Sequence, residues 1–141
     1  MSLYRELLKN YLKTHGITRR NEVNEIISGF DFNHPVYLEN LEPGCRIFQY
    51  VRRPNAEFEA KLGRWFSLKG ATMDSLGIFS GGSGRLLKEF MITSPVVVIE
   101  GTAKSLSRNW GWAGGGSGGS TQMFMPSKLF YALRPLGTHY S

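Results

Sequence analysis

Residues 96–126 run Val96-Val97-Val98-Ile99-Glu100-Gly101-Thr102-Ala103, pass through Asn109-Trp110-Gly111-Trp112-Ala113, and close on Gly114-Gly115-Gly116-Ser117-Gly118-Gly119-Ser120-Thr121-Gln122-Met123-Phe124-Met125-Pro126. The β-branched apolar run at 96–99 reads as a buried strand, and Thr121 to Met125 reads as a second one stopped by Pro126. Between them stand two tryptophans and then seven residues that are only Gly and Ser. Two strands joined by a flexible loop with aromatics at its base is the reading this predicts. Glycine lets backbone approach a ligand closely, and loops held on a rigid sheet commonly carry function. The loop at 113–120 is therefore expected to cover a site to which Gln122 contributes. The same composition also suits a linker between domains. Only 21 residues follow Ser120, too few to fold alone, which favours a loop within one domain.

Outward from this stretch, the chain holds 141 residues, the size of one domain, with 41% hydrophobic and 13% aromatic content, enough for a core. No run of about 18 apolar residues is present, so no membrane span is expected, and Leu3-Tyr4-Arg5-Glu6 lacks the apolar region of a secretory signal. Cys45 is the single cysteine, which excludes an internal disulfide and a multi-cysteine zinc site. The formal charge of +6 suits an anionic partner: nucleic acid, a phosphate-bearing small molecule or an acidic protein. Arg19-Arg20 and Arg52-Arg53 are the only adjacent arginine pairs, and no long basic arm exists.

At the N-terminus, Leu3, Leu7, Leu8, Tyr11 and Leu12 recur at helical spacing over 3–14, with Gly16 as the stop. Thr18 is the expected N-cap of a second helix in which Val23, Ile26 and Ile27 share a face. His15 is expected in solvent at the end of the first helix. Phe30 to Val36 reads as a connector, and Leu41-Glu42-Pro43-Gly44 as a type I or II turn. The strand from 45 to 51 puts Ile47, Gln49 and Val51 on one face. A buried amide must find partners, so Gln49 is either tied to backbone or aimed at a ligand. Gly63 to Leu68 reads as a strand, Leu86 to Ile92 as a strand or short helix, and Leu129 to Leu133 as the last strand, ended by Pro135. Ser80-Gly81-Gly82-Ser83-Gly84 lacks the spacing of a phosphate loop and reads as a surface loop. The resulting expectation is an α+β fold: a helical cap at 1–29 on a β-rich, largely antiparallel core at 30–141.

Several chemistries lack their parts: there is no His-Glu-x-x-His, no Gly-x-Ser-x-Gly and no dinucleotide glycine fingerprint, and three histidines leave no metal site in view. A ribonuclease using His34 and His139 is one alternative, and a non-catalytic binding module is another. What the middle of the chain offers is Arg46, Gln49, Arg64, Trp65, Arg85, Trp110 and Gln122, each near a strand end or a glycine loop. Arginines bind diphosphates, aromatics stack on cationic heterocycles, and amides hold hydroxyls, so the set fits a nucleotide.

The ordered motifs Phe30-Asp31-Phe32 with Pro35-Val36, Leu41-Glu42-Pro43-Gly44, Phe48-Gln49-Tyr50, Gly63-Arg64-Trp65-Phe66-Ser67, Leu76-Gly77-Ile78, Gly101-Thr102-Ala103 and Gly118-Gly119-Ser120-Thr121-Gln122 resemble the NAD-degrading toxin domains of bacterial polymorphic toxins, including type VI secretion effectors. The resemblance implies an ADP-ribosyltransferase-like fold that hydrolyses NAD or NADP as substrate, with no prosthetic group and no metal. It implies Gln49 and Gln122 as catalytic residues, and Arg64 and Arg85 against phosphate. Arg46, Trp65, Phe66, Ser67, Trp110 and Thr121 are further substrate-contact candidates. It also implies delivery into the cytoplasm of a target cell and a cognate immunity protein, expected to be acidic against this basic chain. No carboxylate follows Glu100, and the Arg-Ser-Thr-Ser and Glu-x-Glu pattern of protein-modifying transferases is absent. Hydrolysis is therefore favoured over the alternative of mono-ADP-ribosylation of a macromolecule.

Overall fold

Residues 3–52, 64–68, 85–104 and 119–140 are described by the structure, a computed structural model. Helix α1 (Leu3–Thr14) buries Leu8, Tyr11 and Leu12, the i, i+3, i+4 stripe of its sequence. Its end is a Schellman motif: Gly16 sits at φ 77°, its N–H donates to the Lys13 carbonyl, and the Ile17 N–H donates to Leu12. Helix α2 (Arg20–Ile27) opens one residue later than expected. Arg19 is the N-cap, without a side-chain cap, because its carbonyl accepts the first helical bond from Val23; Thr18 lies outside.

The strands are β1 (Tyr37–Leu41), β2 (Arg46–Arg52), β3 (Trp65–Ser67), β4 (Arg85–Ile92), β5 (Val96–Thr102), β6 (Thr121–Phe124) and β7 (Leu133–Tyr140). They form one sheet in the order β1-β5-β6-β3-β2-β4-β7, with every neighbouring pair antiparallel. The expected α+β arrangement of two N-terminal helices on an antiparallel sheet is therefore what the chain adopts. As expected from 96–126, β5 and β6 are direct neighbours. The 86–92 segment is a strand, held between β2 and β7.

One strand was not foreseen, and a further expectation gives way. The connector after Phe30 ends in β1, an edge strand whose Glu39 and Asn40 carry little intrinsic strand preference; pairing with the apolar β5 supplies it. Residues 127–132 form a 3-10 helix, and the final strand runs from Leu133 through Pro135. Pro135 fits there because β7 is an edge strand and its register slips beside that residue, Phe90 pairing with Pro135 and Glu89 with Gly137. Between β1 and β2, Cys45 N–H donates to Glu42 across Pro43 and Gly44, with Gly44 at φ 95°, which selects the type II turn.

Both faces of the sheet are packed. On the helix side, Leu8, Leu12, Ile26 and Phe30 meet Ile99 and Phe124. On the other side, Ile47, Phe66, Ile92, Val98 and Met123 form a second cluster, with Phe130 of the 3-10 helix packed against it. Each such side chain contributes about 1.5–3 kcal/mol on burial. The Tyr11 hydroxyl donates to the Val97 carbonyl at 2.6 Å, tying α1 directly to β5. His15, expected in solvent, is half-buried against the Tyr11 ring at 4.4 Å, and burial with the nearby Lys128 lowers its pKa.

Candidate active site

Three buried polar side chains stand on the central strands: Gln49 on β2, Ser67 on β3 and Gln122 on β6. Ser67 pairs directly with Gln122, and on its other side with Phe48. Residues paired this way project from the same face of a sheet, about 5 Å apart at Cβ. That face is the helix side, which Ile99, Phe124 and Trp65 share. Gln49 follows Phe48, so it projects from the opposite face, the one holding Ile47 and Phe66. The sheet thus brings Ser67 and Gln122 together on one face, while Thr121, next along β6, projects with Gln49 from the other.

Both amides are engaged. Gln49 donates its Nε2 to the Trp65 carbonyl at 3.0 Å, a backbone partner of the kind its burial required. Gln122 donates its Nε2 to the Gly29 carbonyl at 2.6 Å, and that oxygen also accepts the Lys104 N–H at 3.2 Å. Gly29 is packed on Trp65, whose ring meets Phe30 at 5.2 Å and Phe124 at 5.3 Å. Trp65 and Phe66 are therefore packed aromatics, Phe66 meeting Phe90 at 5.8 Å.

The arginines named by the sequence lie apart. Arg64 forms a 2.6 Å ion pair with Glu22 of α2, its guanidinium 5.1 Å above the Phe124 ring. Arg46 pairs with Glu89 at 3.4 Å and is largely exposed. Arg85 begins β4 opposite Arg52; its side chain, Trp110 and residues 113–118 of the glycine-rich stretch lie outside the described residues, as does the Ser80–Gly84 cluster. The described ends of that stretch are held closed: Gly119 N–H donates to Ala103, and Ala103 N–H donates to Ser120. They stand beside Thr102 and Thr121, the paired last rung of β5 and β6.

At this end of the sheet the structure adds a cleft of about 480 Å³ between α1, α2 and the segment after Phe30, lined by Arg5, Asn24, Ser28, Asp31, Phe32 and Lys104 among others. Sequence reasoning did not single out Arg5 or Lys104, because nothing local ties residue 5 to residue 104. A second cleft of about 490 Å³ at the start of α2 is lined by Arg19, Arg20, Glu22, Glu25 and Arg64. Glu100 also escaped notice: it is a buried carboxylate in β5 sharing a hydrogen bond with Tyr37, and desolvation raises its pKa while the tyrosine is pushed up to about 12. The charge closing the Val96–Ile99 run was its signal. Among the described residues, no group of three His, Cys, Asp or Glu is placed to hold a metal, and no helix is long and apolar enough to cross a membrane.

The profile of bacterial toxin 46, Ntox46, matches residues 3–130. The chain belongs to this toxin family. Over 143 aligned residues the family member is 29% identical to the NAD(P)(+) glycohydrolase toxin Tse6 of Pseudomonas aeruginosa, matching 93% of its own length and 32% of Tse6. It thus spans about a third of that curated relative. Its fold superposes on Tse6 solved in complex with Tsi6 with a TM-score of 0.78 and 26% identity, covering 95% of this chain and 94% of that one. Rhs1-CT, solved with its cognate immunity protein RhsI1, shares the fold with a TM-score of 0.57 at 17% identity, over 79% of this chain and 83% of that one. The toxin resemblance carried by the ordered motifs is borne out at the level of the family.

Proposed function

We propose that this toxin 46 domain, acting as one unit over residues 1–141, cleaves the nicotinamide–ribose bond of NAD+ or NADP+. The observation carrying this reading is the likeness to Tse6, an NAD(P)(+) glycohydrolase toxin, over nearly the whole chain in sequence and fold. The chemistry suits a site poor in acids. Nicotinamide departs as a neutral base from a cationic glycoside, so no proton need be donated to it. The transition state has oxocarbenium character, as in other glycoside cleavage. Holding the substrate and aiming dipoles at the developing charge then supply the rate.

Gln122 is assigned to the reacting ribose, because its strand starts where the glycine-rich stretch ends and its side chain lies beside Ser67. Gln49, on the other face and bonded to the Trp65 carbonyl, is assigned to holding β2 against β3. Arg64 and Arg85 remain candidate phosphate contacts, Arg46, Phe66, Trp65, Ser67, Thr121 and Trp110 substrate contacts, and kinship with ADP-ribosyltransferases is part of the same proposal. The reading also includes delivery as an effector acting inside target cells, and neutralisation by an immunity protein, as Rhs1-CT has one in RhsI1, here expected to be acidic against the charge of +6.

The test is turnover of NAD+ and NADP+ by the purified chain without an acceptor, read as free nicotinamide. Release lost in Gln122→Ala and reduced less in Gln49→Ala supports the roles. A greater loss in Gln49→Ala exchanges them. No release from either dinucleotide removes the glycohydrolase reading. No observation favours the transferase or ribonuclease alternatives.

A further inference from the structure

Of the arginines that the sequence offered for substrate, Arg64 against phosphate and Arg46 as a further contact are each paired with a carboxylate, and the Arg85 side chain lies outside the described residues. The cleft beside Gly29 holds cations of a different standing. Among the described residues, neither Arg5 nor Lys104 has a carboxylate within ion-pair distance, and both are exposed. The Arg5 guanidinium lies 4.5 Å above the Phe32 ring, a cation–π contact that holds its charge at the cleft. Among the described residues Asp31 is the one carboxylate lining the cleft, and it is turned to its own loop, accepting the Asn33 N–H at 3.0 Å with His34 Nε2 at 3.9 Å. The second cleft, by contrast, sets Glu22 and Glu25 among its arginines.

Position adds to charge. The Gly29 carbonyl anchors Gln122, and its neighbours Ser28 and Phe30 line the cleft. The Lys104 N–H is held by the same carbonyl. An extended dinucleotide carries its diphosphate one ribose away from the nicotinamide bond. A substrate reacting beside Gln122 would therefore present its diphosphate at this wall. The volume of about 480 Å³ falls within the range of small-molecule sites, about 300–1,000 Å³.

We propose that this cleft receives the ADP half of the dinucleotide, with Arg5 and Lys104 as the cations that hold its diphosphate and the exposed Asn24 amide available to its hydroxyls. The proposal rests on the NAD(P) reading above. It makes the helical part of the chain, through Arg5, a working part of the substrate site.

The experiment measures ADP binding to the full chain by titration calorimetry, in parallel with nicotinamide release from NAD+. Wild type is expected to bind ADP more weakly as salt rises. Arg5→Ala and Lys104→Ala are each expected to weaken ADP binding about 10-fold, as loss of a charge-assisted contact does, and to raise KM with little change in kcat. Arg5→Lys is expected to recover part of the loss, and Gln122→Ala to keep ADP binding while losing turnover. Both cations are at the surface, and thermal melting verifies that the variants fold. If wild type cleaves NAD+ but the variants leave ADP affinity and KM unchanged, the cleft assignment is overturned and the glycohydrolase reading stands. If ADP binds through Arg5 and Lys104 while NAD+ and NADP+ are not cleaved, the glycohydrolase reading fails and the cleft stands as a nucleoside-diphosphate site. If wild type neither binds ADP nor cleaves either dinucleotide, both fail.

Discussion

Replacing Gln122 by alanine separates a structural role from a chemical one, because the structural loss can be reckoned beforehand. The side chain is buried and, among the described residues, gives one hydrogen bond, 2.6 Å from Nε2 to the Gly29 carbonyl. Removing it forfeits about 1 kcal/mol of net hydrogen bonding. The Gly29 oxygen is not orphaned, since the Lys104 N–H still reaches it at 3.2 Å. Losing the methylene adds about 0.8 kcal/mol, for a total of about 2 kcal/mol. Domains are commonly stable by about 5–15 kcal/mol, so the variant stays folded at 25 °C. For a chain of 141 residues that loss lowers Tm by about 7 °C. Gln122→Met, which keeps the bulk and loses only the donor, is expected to melt about 3 °C below wild type. Removal of a dipole that acts on the transition state lowers kcat by about 10²–10³. The assays are thermal melting by circular dichroism and nicotinamide release at 25 °C. Melting as reckoned with turnover intact in both variants would leave Gln122 a purely structural residue, and a fall in Tm beyond about 15 °C would refute the hydrogen-bond reckoning itself.

Three further expectations follow from the packing and the titrating groups. A Cβ on Gly101 would lie 2.7 Å from Phe30 Cδ1 and 3.1 Å from Val36 Cγ2, so Gly101→Ala is expected to lose about 1–3 kcal/mol. Phe30→Leu in the same chain should show favourable coupling to it in a double-mutant melt; a Gly101→Ala chain melting like wild type would contradict the close approach. Glu100 has its pKa raised by burial, so its ionised form weakens the fold increasingly as pH climbs above its ordinary 4.5. Glu100→Gln, which still accepts from Tyr37, is expected to melt higher than wild type at pH 7.5, with the gap closing by about pH 4; an equal gap at both would exclude the carboxylate as its origin. His15 has its pKa lowered, so the fold prefers it neutral, and its contribution is complete above its ordinary 6.5 and lost as pH falls below it. His15→Phe, which keeps the ring against Tyr11, should melt with a smaller fall between pH 7.5 and 5 than wild type; an unchanged fall would place the acid sensitivity elsewhere.

Much of the architecture was legible residue by residue. The Leu8, Tyr11 and Leu12 stripe, Gly16 and the Val96–Ile99 run announced their elements, because helical and extended periodicity are local properties. The Pro135 stop misled because proline's veto on a strand depends on which neighbours the strand has, and β7 has a partner on one side alone. The edge strand β1 was invisible for the converse reason: its pairing partner lies some sixty residues away in sequence. The same distinction divides the site. Burial of Gln49 among apolar neighbours and the position of Gln122 behind the glycine run could be read from alternation.

What the sequence by itself determined, then, is the order and type of most elements, the toxin family that its motifs resemble, and the glutamines worth testing. Only the tertiary structure decided that those glutamines project from opposite faces of one sheet, that Arg46 and Arg64 are already paired, and that Arg5 and Lys104 meet at one cleft. Register between distant strands and the closure of α1 onto β5 are global outcomes. They are set by how both faces of the sheet bury their apolar side chains together, and no local window of sequence contains that information.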